Sequence, residues 1–79
     1  MSHVPHELAE EFPDKIEALH DLKVNDAHFH KLSDEYHEVN RHIHRVETGI
    51  EPTSEQFETE LRKKRMMLKD EIAAMLAKH

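Results

Sequence analysis

Histidines are the residues of this sequence that offer the most chemistry, since there are nine of them in 79 residues. His30, His37 and His44 are seven positions apart and share one face of a predicted helix, but they lie about 10.5 Å apart along its axis. That spacing is too long for one metal ion. The nearest approach to a ligand set is Asp26, His30 and Asp34, a weak candidate for zinc or nickel that would need a second chain. We therefore expect a solvated, histidine-rich helix face with no metal and no cofactor.

The same histidines suggest a pH response as an alternative function. Protonation of all nine would change the net charge of the chain from −6 to about +3 within the pH range where histidine titrates. A metal- or pH-responsive regulator that acts through the histidine-rich face is therefore kept as an alternative.

A basic cluster in the second half of the chain suggests a different class of partner. It comprises Arg62, Lys63, Lys64, Arg65 and Lys69. The cluster lacks interleaved aromatic residues, and an acidic chain is poorly suited to duplex DNA, because phosphate contacts dominate that affinity. A nucleic-acid-associated factor is thus a disfavoured alternative. We expect Arg65, which falls on an apolar helix face, to pair with Glu35 or Glu38.

Met66 and Met67 lie within that cluster and could line a groove for a partner, because the thioether side chain adapts its shape. Together with Arg62, Lys63 and Lys69, they are the residues that we predict to mediate interactions. Catalysis has little support, since the sequence shows no glycine-rich phosphate loop and nothing that implies a substrate pocket. We expect no enzymatic activity and no catalytic residues.

The elements that position these residues are predicted to be helices. Charged residues make up 35% of the chain and aromatic residues 5%, with one glycine and no cysteine, which is typical of long solvated helices. Two stretches follow a helical period with spacings of three and four, and in the second stretch Arg65 takes the one position of this pattern that is not apolar. The first stretch comprises Phe29, Leu32, Tyr36, Val39, Ile43 and Val46, and the second comprises Leu61, Leu68, Ile72 and Met75.

The predicted fold is all-α, an antiparallel two-helix, coiled-coil-like hairpin with a short N-terminal helical segment. Residues 1–13 form a flexible or partly helical arm, and residues 14–79 form the hairpin domain. That domain has a short helix at 14–23 and long helices at 26–48 and 54–77.

Local signals predict where the long helices begin and end. Asn25 or Asp26 can cap the first long helix, and Gly49 can end it in the left-handed conformation. Thr53 is expected to cap the second, with Gln56 reaching back as in a capping box.

A bend of a few residues forces two helices of similar length to pack antiparallel. One register pairs residues placed symmetrically about position 52: Phe29 with Met75, Leu32 with Ile72, Tyr36 with Leu68, Val39 with Arg65, and Ile43 with Leu61. Shifted registers would bury charge without a partner. Because Arg65 is the one polar residue of this set, we expect Arg65→Leu to be tolerated or stabilising.

The stretch from Leu61 to Ile72 resembles the signature of the YdcH-like family of small bacterial proteins, which has no assigned function. The stretch from Asp26 to Glu47 is similar to the first long helix of that family, and the resemblance covers about residues 14–76. It implies a helical hairpin in a cytosolic bacterial protein and supplies no activity. The acidic arm and the extra histidines depart from the family's pattern.

These observations favour a small helical module for protein–protein interaction or self-association. Two amphipathic helices bury one face each, so a homo-oligomer or a protein partner would cover the remaining apolar residues: Ile16, Leu19, Leu22, Met66, Met67 and Leu76. The rival is a monomer whose N-terminal segment folds over the hairpin. The sequence shows neither a signal peptide nor an apolar run of membrane-spanning length, so we expect a cytoplasmic protein.

Overall fold

The computed structural model describes residues 5–50 and 52–79, and within those ranges it contains helices and no strand. The all-α prediction is confirmed. The elements are α1 (Leu8–Glu11), a turn of 3-10 helix (Pro13–Lys15), α2 (Ile16–Asn25), α3 (Ala27–Glu47) and α4 (Glu55–Lys78). Residues 1–4 of the predicted arm and Glu51 of the predicted bend lie outside the described residues. None of the described helices is both long enough and apolar enough to span a membrane.

Asp26 lies between α2 and α3 and caps the N-terminus of α3. Its backbone is extended, and its Oδ1 accepts a hydrogen bond from the Phe29 N–H at 3.0 Å. An aspartate in this position satisfies one of the unpaired donors of the first turn. Asn25, the other capping residue that the sequence left open, instead donates its side-chain amide to the Asp21 carbonyl. Asp26 is therefore the cap.

The C-terminus of α3 is closed by Gly49. This residue has φ +79°, its N–H donates to the Val46 carbonyl, and the Ile50 N–H donates to the Arg45 carbonyl. These paired hydrogen bonds form a Schellman motif, in which glycine takes the left-handed conformation without steric cost. The conformation predicted for Gly49 is confirmed.

The cap of α4 corrects the prediction from sequence. Ser54, not Thr53, precedes the first helical residue, and its hydroxyl accepts from the Phe57 N–H at 3.1 Å. Both residues carry a hydroxyl that can cap a helix, so composition alone does not separate them. The helix begins at Glu55, so Ser54 is the residue placed to accept from the N–H three positions later, that of Phe57.

The core is formed mainly by the apolar stripes of α3 and α4. Its buried members on these helices are Phe29, Leu32, Tyr36, Val39, Ile43, Leu61, Leu68, Ile72 and Leu76. At the end of α4 the buried residue is Leu76, whereas Met75, which was predicted for the seam, is only partly buried. Leu76 needs no cover from a second chain.

The N-terminal segment packs against α3 and α4. Leu8 of α1 is 5% exposed and belongs to the core, and Leu19 and Leu22 of α2 pack against it. This packing is what we expect of a monomer whose N-terminal segment covers the long helices, the alternative to self-association. It leaves Met66 and Met67 exposed to 59% and 62%.

Candidate functional site

The predicted metal ligands do not converge on one point. The Asp26 carboxylate is engaged by the N-terminus of α3, while His30 Nε2 lies 3.2 Å from Asp34 Oδ2 on the surface of the same helix. Within residues 5–50 and 52–79, no group of three or more histidine, cysteine, aspartate or glutamate side chains is arranged to hold a metal ion.

Two other histidines instead contact acidic residues of the N-terminal arm. His37 Nδ1 lies 2.7 Å from Glu7 Oε2, a close contact that is not aligned as a hydrogen bond. His6 Nδ1 lies 3.0 Å from Glu11 Oε1. The hydrogen bond with His6 lowers the pKa of Glu11, burial opposes this change, and the charge of Lys69 lowers it further. These histidines therefore connect the arm to itself and to α3.

The basic cluster is divided among different sides of α4. Arg62 is 2.6 Å from Glu58 and 3.9 Å from Glu47, and Lys69 Nζ is 3.4 Å from Glu11 Oε1. Lys69 also lies 6.0 Å from the centroid of the Phe12 ring. Since Arg62 and Lys69 have acidic neighbours within the chain, the cluster is not one continuous cationic surface.

Arg65 corrects a second prediction from sequence. Its guanidinium does not pair with Glu35 or Glu38; Nη1 donates a hydrogen bond to Asn40 Oδ1 at 3.0 Å. Asn40 is 1% exposed, so water cannot replace this donor and a buried acceptor requires a partner. The pairing predicted from sequence is therefore wrong, and we now expect Arg65→Leu to destabilise the fold rather than to be tolerated.

Tyr36 and Asn40 form a polar site that the sequence did not predict. The Tyr36 hydroxyl donates to the His6 carbonyl at 2.6 Å, and Asn40 Nδ2 donates to the Pro5 carbonyl at 2.8 Å. Burial of its hydroxyl raises the pKa of Tyr36 to about 12, and the carboxylate of Glu11 adds to this rise. The sequence carries one signal for this site, a tyrosine on the apolar face of a predicted helix. A buried hydroxyl needs a hydrogen-bond partner, so such a tyrosine indicates a polar contact.

A third feature is the face of α4 that points away from the core. At 3.6 residues per turn, seven residues between positions 59 and 77 share this face, opposite Leu61, Leu68 and Ile72. All seven are exposed. We call this set the outer face of α4: Thr59, Lys63, Met66, Met67, Asp70, Ala74 and Ala77. On this face Met66 and Met67 lie between the cation of Lys63 and the anion of Asp70.

Comparison with known families matches residues 29–76 to the family described as a protein of unknown function, DUF465. The chain belongs to the DUF465 family. No curated protein and no solved structure matches the chain. The part that matches DUF465 runs from Phe29 in α3 to Leu76 in α4, so it contains the outer face of α4. It also contains Tyr36 and Asn40, whereas the arm that these two residues bind lies before it.

Proposed function

We propose that this DUF465 protein is a self-association module in which two chains pack through the outer face of α4, and that its role is not enzymatic. Within this proposal the chain is a YdcH-like protein that works in the cytoplasm. The observation that carries it is the exposure of Met66 and Met67 to 59% and 62%. Neighbouring large apolar side chains exposed on an ordered helix are typical of a surface that a partner covers.

The proposal includes the antiparallel hairpin. Helices α3 and α4 have 21 and 24 residues, which correspond to about 32 and 36 Å. The molecule measures 38 × 27 × 19 Å. Each helix is longer than the two shorter dimensions, so we place both along the longest one. Two helices along the same dimension, joined by a short bend, run in opposite directions. The register about position 52 sets Arg65 opposite Val39, next to the Asn40 that Arg65 contacts.

The order of charges along the outer face favours one arrangement of the two copies. Lys63 and Asp70 are equally far from the midpoint between Met66 and Met67. In an antiparallel pair with its two-fold axis at that midpoint, Lys63 of each copy faces Asp70 of the other. A parallel pair would instead set Lys63 against Lys63 and Asp70 against Asp70, which is repulsive.

Two further pairs of positions on the outer face agree with this antiparallel pair. Thr59 falls opposite Ala74, and both are small enough to let the helices approach closely. Met66 falls opposite Met67, so the thioethers meet at the centre of the contact. One helix face buries less than about 1,200 Å², which is the size of a weak, reversible interface. We therefore expect a dimer that dissociates on dilution.

Charge reversal tests the proposal without disturbing the core. In sedimentation equilibrium, Lys63→Glu and Asp70→Lys should each weaken the dimer at least about tenfold, and the double variant should recover most of the loss. Lys31→Glu, on the exposed surface of α3, is the matched control and should leave the dimer unchanged. The proposal is wrong if the wild-type chain stays at 9.4 kDa at every concentration up to about 1 mM, where even a weak dimer forms.

The other function classes have less support. The Asp26 carboxylate of the metal candidate is already used as a helix cap, and Arg62, Arg65 and Lys69 of the basic cluster contact groups within the chain. We therefore do not propose a metal-responsive regulator or a nucleic-acid-associated factor.

A further inference from the structure

Two side chains of α3 bind the backbone of the N-terminal arm. Tyr36 and Asn40 lie one turn apart on α3 and donate to consecutive carbonyls, those of His6 and Pro5, at 2.6 and 2.8 Å. Tyr36 is 0% exposed and Asn40 is 1% exposed. Hydrogen bonds to main-chain carbonyls do not depend on the identity of the bound residues. The pair of donors therefore recognises a backbone shape.

One of the two donors, the Asn40 amide, also has a partner on α4. Asn40 Oδ1 accepts from Arg65 Nη1 at 3.0 Å, which directs Nδ2 of the same amide toward the arm. An amide whose oxygen is engaged cannot flip without losing that bond. Arg65 thus acts as a positioning residue for Asn40.

Charge and apolar contacts add side-chain preference to this backbone recognition. Glu7 lies against His37, and Glu11 lies against Lys69 on α4. Leu8 is 5% exposed within the core. The site thus takes two carbonyls, a leucine and two acidic side chains from one short segment.

The arm adopts a disfavoured backbone conformation in this site. His6 has φ 64°, a left-handed conformation that residues other than glycine rarely adopt. The contacts of the neighbouring residues compensate for it, and the site rather than the arm's own preference sets the main-chain path.

From these contacts we infer that Tyr36, His37, Asn40 and Lys69 form a peptide-binding site for an acidic, leucine-containing segment of a partner protein, which the chain's own arm occupies in its absence. The binding side chains lie within the part of the chain that matches DUF465, and the arm lies outside it. The arm is tethered nearby, so it competes with an effective concentration on the order of millimolar. A partner segment binds when it displaces the arm.

A labelled peptide with the sequence of residues 5–12, Pro-His-Glu-Leu-Ala-Glu-Glu-Phe, tests this inference on full-length chains. Leu8→Asp undocks the arm, because it puts a charge into the core. Ala9→Asp adds the same charge at an exposed position and is the control. In fluorescence anisotropy, the peptide should bind Leu8→Asp at least about tenfold more tightly than the wild type or Ala9→Asp.

A second variant separates loss of the site from loss of folding. Asn40→Asp keeps the oxygen that Arg65 contacts and removes the donor to the Pro5 carbonyl. Added to Leu8→Asp, it should weaken peptide binding at least about tenfold while the helical circular dichroism is retained. Tyr36→Phe should act in the same direction, because it removes the other donor.

Two results would overturn the inference. One is that the peptide binds the wild type, Leu8→Asp and the double variant of Leu8→Asp with Asn40→Asp with the same affinity. The other is a lower sedimentation mass for Leu8→Asp than for the wild type, which would mean that the arm of a second copy fills the site. The first result concerns the peptide site alone, so it can occur while the proposed dimer stands, whereas the second would also contradict a dimer formed through the outer face of α4.

Discussion

The hydrogen bond between Arg65 and Asn40 makes a sharp prediction about stability. Arg65→Leu removes the donor to Asn40 Oδ1, which is held in a residue that is 1% exposed. Leaving a buried acceptor unpaired costs about 1–3 kcal/mol. In a domain of this size, each kcal/mol lowers the melting temperature by about 4–8 °C. With a cost of about 2 kcal/mol, Arg65→Leu should therefore lower the melting temperature by about 8–16 °C.

Thermal and urea denaturation followed by far-UV circular dichroism measure this loss. A double-mutant cycle with Asn40→Leu should show a coupling of about 1 kcal/mol or more, because the double variant leaves neither group of this pair unsatisfied. Arg62→Leu is the matched control, since its partner Glu58 sits in a surface pair. Such a pair is worth about 0.3–0.5 kcal/mol. Equal losses for Arg62→Leu and Arg65→Leu, or a more stable Arg65→Leu, would refute the reasoning.

Other parts of the fold give further predictions. Ser54→Ala should lower the free energy of unfolding by about 1 kcal/mol through loss of the cap, and Thr53→Ala should change it by less than half as much in the same urea titration. Tyr36 is the single tyrosine, so phenolate absorbance should show it ionising near pH 12 in the folded chain and near pH 10 when unfolded. Its contribution to stability is therefore present below about pH 10 and is lost as the pH rises toward 12; ionisation of the folded chain near pH 10 would contradict its burial. Leu68→Ala should cost about 2–4 kcal/mol, whereas the exposed Met67→Ala should change stability by less than about 0.5 kcal/mol.

The helices of this chain could be predicted from the sequence because their signals are local. Phe29, Leu32 and Tyr36 repeat at helical spacing and become buried. A single glycine in the region of the bend can take φ +79°, so Gly49 marks the end of α3. Two adjacent hydroxyl residues, Thr53 and Ser54, carry the same capping chemistry, which is why the predicted cap was one residue too early.

The contacts of the arm could not be predicted in the same way. The bonds from Tyr36 and Asn40 join residues 30 and 35 positions apart, and a long-range contact to a backbone carbonyl leaves no periodic signal in the sequence. Arg65 was assigned to a carboxylate because opposite charges attract. The structure gives it to Asn40, because a buried amide oxygen needs a donor more than an exposed carboxylate does.

Disulfide cross-linking measures directly how two chains meet, because introduced cysteines would be the only ones in a chain that has none. In the proposed antiparallel pair, Thr59 of one copy faces Ala74 of the other. Two copies of Thr59 are then about 22 Å apart along the helices, beyond the reach of a disulfide. A mixture of Thr59→Cys and Ala74→Cys chains should therefore form the mixed disulfide, while neither variant alone cross-links above the level of an exposed Val24→Cys control. Cross-linking of Thr59→Cys with itself, or a mixture no more reactive than that control, would contradict the account.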